Sequence, residues 1–130
     1  MATCYILDDQ YGGKLYEELE HELPEWDFPV KENVYNPLSY LEEISKKKPE
    51  VILLDNFFPW ETREEALGEE FLGQLLERKI KTKIICISDY GRTLLERYYS
   101  REAAYQNGFI QWRVESKDGK QIARLMKNLT

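Results

Sequence analysis

Two short apolar runs in this chain end in carboxylates: Tyr5-Ile6-Leu7 runs into Asp8-Asp9, and Val51-Ile52-Leu53-Leu54 runs into Asp55. Runs of this length, rich in branched residues, read as buried strands. Between and after them, apolar residues recur at helical spacing. Leu15, Tyr16, Leu19 and Leu23 follow Gly12-Gly13 and stop at Pro24. Leu38, Leu41 and Ile44 follow Asn36-Pro37, an N-cap with proline at the first helical position. Leu67, Phe71, Leu72, Leu75 and Leu76 mark a third helix. Leu94, Leu95, Tyr98, Tyr99 and Ala103 mark a fourth, and Ile122, Leu125, Met126 and Leu129 a fifth.

Strands fall between these helices. Thr3 to Asp8 is the first and Val51 to Asp55 the third. Val30 to Tyr35 is a more polar second strand, as an edge strand would be. Lys83 to Ser88 is nearly all apolar and so predicted to be central, and Gly108 to Val114 is the fifth. A strand followed by a helix, five times over, predicts an α/β fold with helices on both faces of a parallel sheet and right-handed crossovers. The expected architecture is the flavodoxin-like (βα)5 doubly wound five-stranded sheet, order 2-1-3-4-5. The stretch from Asn56 to Glu65 is expected to be a loop.

The 130 residues suit one domain spanning positions 1 to 130, with a real core. A net charge of -6 disfavours direct nucleic-acid binding and docking on anionic lipid. No apolar stretch is long enough to cross a membrane, and Met1-Ala2-Thr3 leads directly into a strand. Cys4 and Cys86 both fall in strands, away from any CxxC or Cys/His cluster. They read as buried thiols of a cytoplasmic protein.

In the expected winding, strands one, three and four are neighbours, so Asp8, Asp9, Asp55 and Ser88 meet at their carboxyl ends. Ligands of open α/β sheets sit there. Three clustered carboxylates repel, and a hard divalent ion bound through oxygen relieves that repulsion.

This arrangement resembles the receiver domain of two-component response regulators, over nearly the whole chain. The acidic pair after strand one, the aspartate after strand three, the hydroxyl after strand four and Phe109 on strand five all have counterparts in that family. Asp55-Asn56-Phe57-Phe58-Pro59 is similar to its Asp-x-x-Met-Pro segment, and Gly68-Glu69-Glu70-Phe71-Leu72 to the start of its third helix. The resemblance implies that Asp55 is a phosphoacceptor. Mg²⁺ would be held by Asp8, Asp9, Asp55 and the carbonyl of Phe57. Ser88 would bond the phosphoryl group, and Phe109 would be the switch aromatic. The implied partners are a histidine kinase or phosphotransfer protein and a downstream protein bound at the helix 4, strand 5 and helix 5 face, where Tyr98, Tyr99 and Trp112 lie. No output domain follows Thr130, so output would act in trans, and the domain would be a stand-alone signalling module and not an enzyme.

The family's pattern is broken at strand five. It places a lysine three residues after the switch aromatic, and counting from Phe109 reaches Trp112, followed by Arg113. An indole carries no charge to pair with a phosphoryl oxygen, and Arg113 would point to the other face of the strand. Asp89 stands where the family prefers a very small residue, and Trp60-Glu61-Thr62-Arg63-Glu64-Glu65 lengthens the loop beside the pocket. Two functions follow. One is a phosphoacceptor with a substitute for the lysine. The other is a pseudo-receiver that binds partners without being phosphorylated.

Overall fold

The computed structural model describes residues 2–55, 58–60, 63–65, 67–87 and 117–129. Strands β1 (Cys4–Leu7), β2 (Val51–Leu54) and β5 (Lys83–Cys86) form a parallel sheet in the order β1-β2-β5. These are the expected first, third and fourth strands, adjacent as the 2-1-3-4-5 winding requires. The pairing is flush: Cys4, Val51 and Lys83 stand abreast at one end, and Leu7, Leu54 and Cys86 at the other. A flush parallel register carries the next residue of each strand out of the sheet at the same level. Asp55 N–H continues the ladder to the Leu7 carbonyl at 2.9 Å, and Ile87 N–H to the Leu54 carbonyl at 3.0 Å.

Side chains alternate across the sheet with period two. Tyr5, Leu7, Ile52, Leu54, Ile84 and Cys86 face one core, with α2 (Leu41–Lys47) and α3 (Leu67–Glu77) packed over it. Cys4, Ile6, Val51, Leu53, Ile85 and Ile87 face the other, under α1 (Gly12–Glu22) and α4 (Gly119–Leu129). The sheet is thus covered on both sides, as a doubly wound fold demands. Each large side chain so buried contributes about 1.5–3 kcal/mol. The helices bury the stripes that the sequence predicts: Leu15 and Leu19 on α1, Phe71, Leu72 and Leu75 on α3, and Ile122 and Met126 on α4. Both cysteines are buried and free. Burial pushes the Cys4 thiol up and the Cys86 thiol up to about 12, so both stay protonated and inert.

Two local expectations are corrected, and a third, the capped start of the second helix, is met with a 3₁₀ turn. The segment 30–35 is not a regular strand. The chain touches the β1 edge through Asp27, whose carbonyl accepts from Cys4 N–H and whose N–H donates to Ala2, and again where Val34 N–H reaches the Asp8 carbonyl at 2.9 Å. Val30 and Val34 turn inward to the core and leave Lys31 and Glu32 in solvent. The second helix starts with a 3₁₀ turn, Pro37–Tyr40, capped by Asn36 Oδ1 accepting from Leu38 N–H at 3.0 Å. The stretch after Asp55 is also not a plain loop. Phe58–Trp60 (β3) and Arg63–Glu65 (β4) pair antiparallel. Pro59 is tolerated because a two-stranded ribbon has only edges. The expected fourth helix and fifth strand lie outside the described residues. No described helix is long and apolar enough to cross a membrane.

Where α4 meets α1, its first residue has no room for a side chain. A Cβ on Gly119 would lie 2.5 Å from Glu18 Cβ. Glu18 Oε2 instead accepts from Gly119 N–H at 3.0 Å, capping α4 from the neighbouring helix. Gly119→Ala is therefore expected to destabilise the fold by about 1–3 kcal/mol, by overpacking and loss of the cap. Urea denaturation measures it, and an unchanged midpoint would refute this reading of the contact.

Candidate functional site

The flush ends of β1 and β2 set Asp8 and Asp55 side by side. Asp8 is fully buried and Asp55 is 7% exposed. Asp8 serves two purposes. Its Oδ1 accepts from Gln10 N–H at 2.8 Å and Tyr11 N–H at 2.9 Å, turning the chain from β1 into α1. Its Oδ2 is buried and faces the site. Asp9, half-buried, completes a trio in which each carboxylate offers an oxygen within 4.8 Å of the others.

The trio is met by a cation that the strand-five count passes over. Lys117 Nζ lies 2.7 Å from Asp8 Oδ2 and 3.3 Å from Asp55 Oδ2. Its ammonium also sits 4.8 Å from the centre of the Tyr11 ring. Burial alone would lower the pKa of Lys117. The hydrogen bond and charge of Asp8, and then those of Asp55, outweigh it and hold the ammonium above its usual range. Lys117 immediately precedes Asp118, whose Oδ1 accepts from Lys120 N–H at 2.9 Å at the start of α4. Counting back from the cap of the last helix finds this lysine; counting forward from Phe109 does not.

Three carboxylates against one ammonium leave a formal deficit of two positive charges. The strain shows at Asp9. Burial, then the charges of Asp55 and Asp8, push its carboxyl up to about 6. Hard oxygen donors at this spacing, among them the buried Asp8 Oδ2 that already meets the Lys117 ammonium, fit a small divalent cation. Of the other expected site residues, Phe57, Ser88, Phe109, Trp112 and Arg113 lie outside the described residues, as does Asp89.

The shift of Asp9 has a direction in stability. Its unfolded value lies near 3.8 and its folded value near 6. Above about pH 6 the folded state therefore carries a penalty for charging Asp9. That penalty is relieved as pH falls through the folded pKa, so this residue adds stability between about pH 6 and 4. In metal-free buffer Asp9→Asn is expected to raise the melting temperature near neutral pH and to flatten its rise on acidification. Parallel melting curves for parent and variant across that window would contradict the assignment.

No family model and no curated protein matches this sequence. Solved structures do. A DNA-binding response regulator of the LuxR family from Staphylococcus aureus superposes with a TM-score of 0.69 at 15% identity, over 99% of this chain and 98% of that one. A response regulator from Colwellia psychrerythraea gives 0.66 at 20% identity, over 98% and 95%. The beryllofluoride-activated NtrC receiver domain gives 0.63 at 19%, over 98% and 93%. At these identities the likeness is one of fold. The chain has the fold of a response-regulator receiver domain, the flavodoxin-like α/β winding, with Asp8, Asp9, Asp55 and Lys117 gathered at the carboxyl ends of its strands.

Proposed function

We propose that this chain is a signalling receiver that accepts a phosphoryl group on Asp55 in the presence of Mg²⁺ and reports it to a protein partner. The observation that carries the reading is the Lys117 ammonium, 3.3 Å from Asp55 Oδ2 and 2.7 Å from Asp8 Oδ2. The pseudo-receiver alternative rested on a missing lysine, and the Lys117 ammonium beside the acids supports the phosphoacceptor reading over it.

The residues divide the chemistry among them. A carboxylate oxygen of Asp55 attacks phosphorus. The P–N bond of a phosphohistidine, or the P–O bond of acetyl phosphate, breaks, and the leaving group keeps the bonding pair. Asp8, Asp9 and Asp55, with the Phe57 carbonyl, are the groups that would hold Mg²⁺. When bound, the ion offsets charge on the transferring oxygens. Lys117 supplies a second positive charge to the phosphoryl group. Ser88 would add a hydrogen bond. If Lys117 fills the family's lysine position, the residue three before it is Val114, and the switch position would carry a small aliphatic side chain in place of an aromatic. The donor would be a histidine kinase or phosphotransfer protein in the cytoplasm. Output would pass through a downstream protein and not through catalysis by this chain.

Incubation with Mg²⁺ and acetyl phosphate should add the mass of one phosphoryl group, and Asp55→Asn should abolish the addition. Lys117→Ala should slow labelling about a hundredfold, the scale of losing one charge-stabilising donor. Arg113→Ala should leave it nearly unchanged. Labelling indifferent to Lys117, or a parent that takes no phosphoryl group, would sink the proposal.

A further inference from the structure

The end of the sheet opposite the acids carries a constellation of the other sign. Helices in a parallel α/β sheet run back against their strands, so α2 and α3 end beside the strand N-termini. There an open pocket of about 600 Å³ is lined by Ser45, Lys48, Arg78, Lys79, Ile80 and Lys81, its four charged residues all exposed. Every charged residue in that lining is a cation. Arg78 Nη1 reaches Ser45 Oγ at 3.4 Å. Among the described residues, no carboxylate comes within ion-pair distance of any of these cations. Acids are not scarce in this chain, with 24 against 18 basic residues, yet none is placed here.

The backbone holds two of these lysines where glycine is the usual choice. Lys48 ends α2 at φ 50°, its N–H donating to the Ile44 carbonyl at 2.9 Å. Lys79 ends α3 at φ 56°, its N–H donating to Leu76 while Ile80 N–H donates to Leu75, both at 3.1 Å. The second pattern is a Schellman cap, and both positions are left-handed, where a side chain strains the backbone. They are the only non-glycine residues with positive φ among those described, and both line the pocket. The loops that bear them are fastened together by the buried bond from Thr82 Oγ1 to the Pro49 carbonyl at 2.9 Å. Complementing a helix dipole explains Lys46 and Lys47, which sit in the last turn of α2. It requires neither a left-handed lysine nor a pocket.

We propose that this pocket binds a small polyanion bearing two or more phosphoryl groups. Its volume lies in the range of small-molecule sites. The arginine fork and the lysine ammonium groups suit phosphoryl oxygens, the Ser45 hydroxyl adds a directional bond, and Ile80 offers an apolar wall. A bound polyanion would also relieve the repulsion among the cations. The net charge of -6 over the whole chain disfavours an extended polyanion such as nucleic acid.

Titration calorimetry on the full chain in metal-free, low-salt buffer tests this with inorganic phosphate, pyrophosphate and tripolyphosphate. Binding should be one to one and strengthen in that order. The double variant Lys48→Gly, Lys79→Gly removes two cations while easing two strained caps. It should melt at or above the parent's temperature and bind at least tenfold more weakly. Asp55→Asn should bind like the parent, which separates this site from the phosphoacceptor. The proposal is overturned by the absence of binding heat, by undiminished affinity in the double variant, or by a melting shift that sodium chloride of equal ionic strength reproduces. Tighter binding of an acidic peptide or single-stranded DNA than of tripolyphosphate would assign the surface to a macromolecule and overturn it equally.

Discussion

Like charges set side by side at the end of a buried sheet are the constraint around which the site is organised. Because β1 and β2 pair without stagger, Asp8 and Asp55 leave the sheet at one level and Asp9 cannot retreat far from either. Both neighbouring strands are buried, so water screens this repulsion poorly. The molecule answers it in three ways. Asp8 spends one oxygen on two backbone N–H groups, Lys117 brings an ammonium to the other oxygen and to Asp55, and Asp9 holds its proton to an unusually high pH. Each answer is partial, and the residual charge suits one divalent cation.

Lys117 reaches the acids from outside the strands that bear them, so its position depends on where α4 begins. That start is set by Glu18 on α1, which caps Gly119 across a contact too close for any side chain at that position. A packing contact between two helices thus lies two residues from the charge that meets the acids.

The acidic trio stands at the strand C-termini, while Lys48, Arg78, Lys79 and Lys81 gather at the other end, where Glu50 also sits. The topology of a parallel sheet makes this separation easy. Every helix start falls at one end and every helix stop at the other, and basic residues are favoured at helix stops. At α2 and α3 the lysines continue past the last turn into the left-handed cap itself.

The helices and the three described strands were legible because period-two and period-3.6 patterns report burial directly, as at Leu53 and Leu54 or at Phe71, Leu72 and Leu75. The acidic trio was legible because strand order follows from the strand and helix alternation, and strand order puts Asp8 and Asp55 together. Segment 30–35 misled because two inward valines suffice to anchor a chain that makes only scattered bonds to β1. The β3-β4 ribbon escaped notice because three-residue strands carry almost no periodicity. Lys117 was passed over because the count ran forward from Phe109 and not back from the cap of the last helix. Local sequence determines which stretches are apolar and where chains turn, since those are properties of neighbouring residues. Only the tertiary structure decides that a lysine 62 positions away from Asp55 supplies its counter-charge, because that meeting is set by how α4 packs on α1.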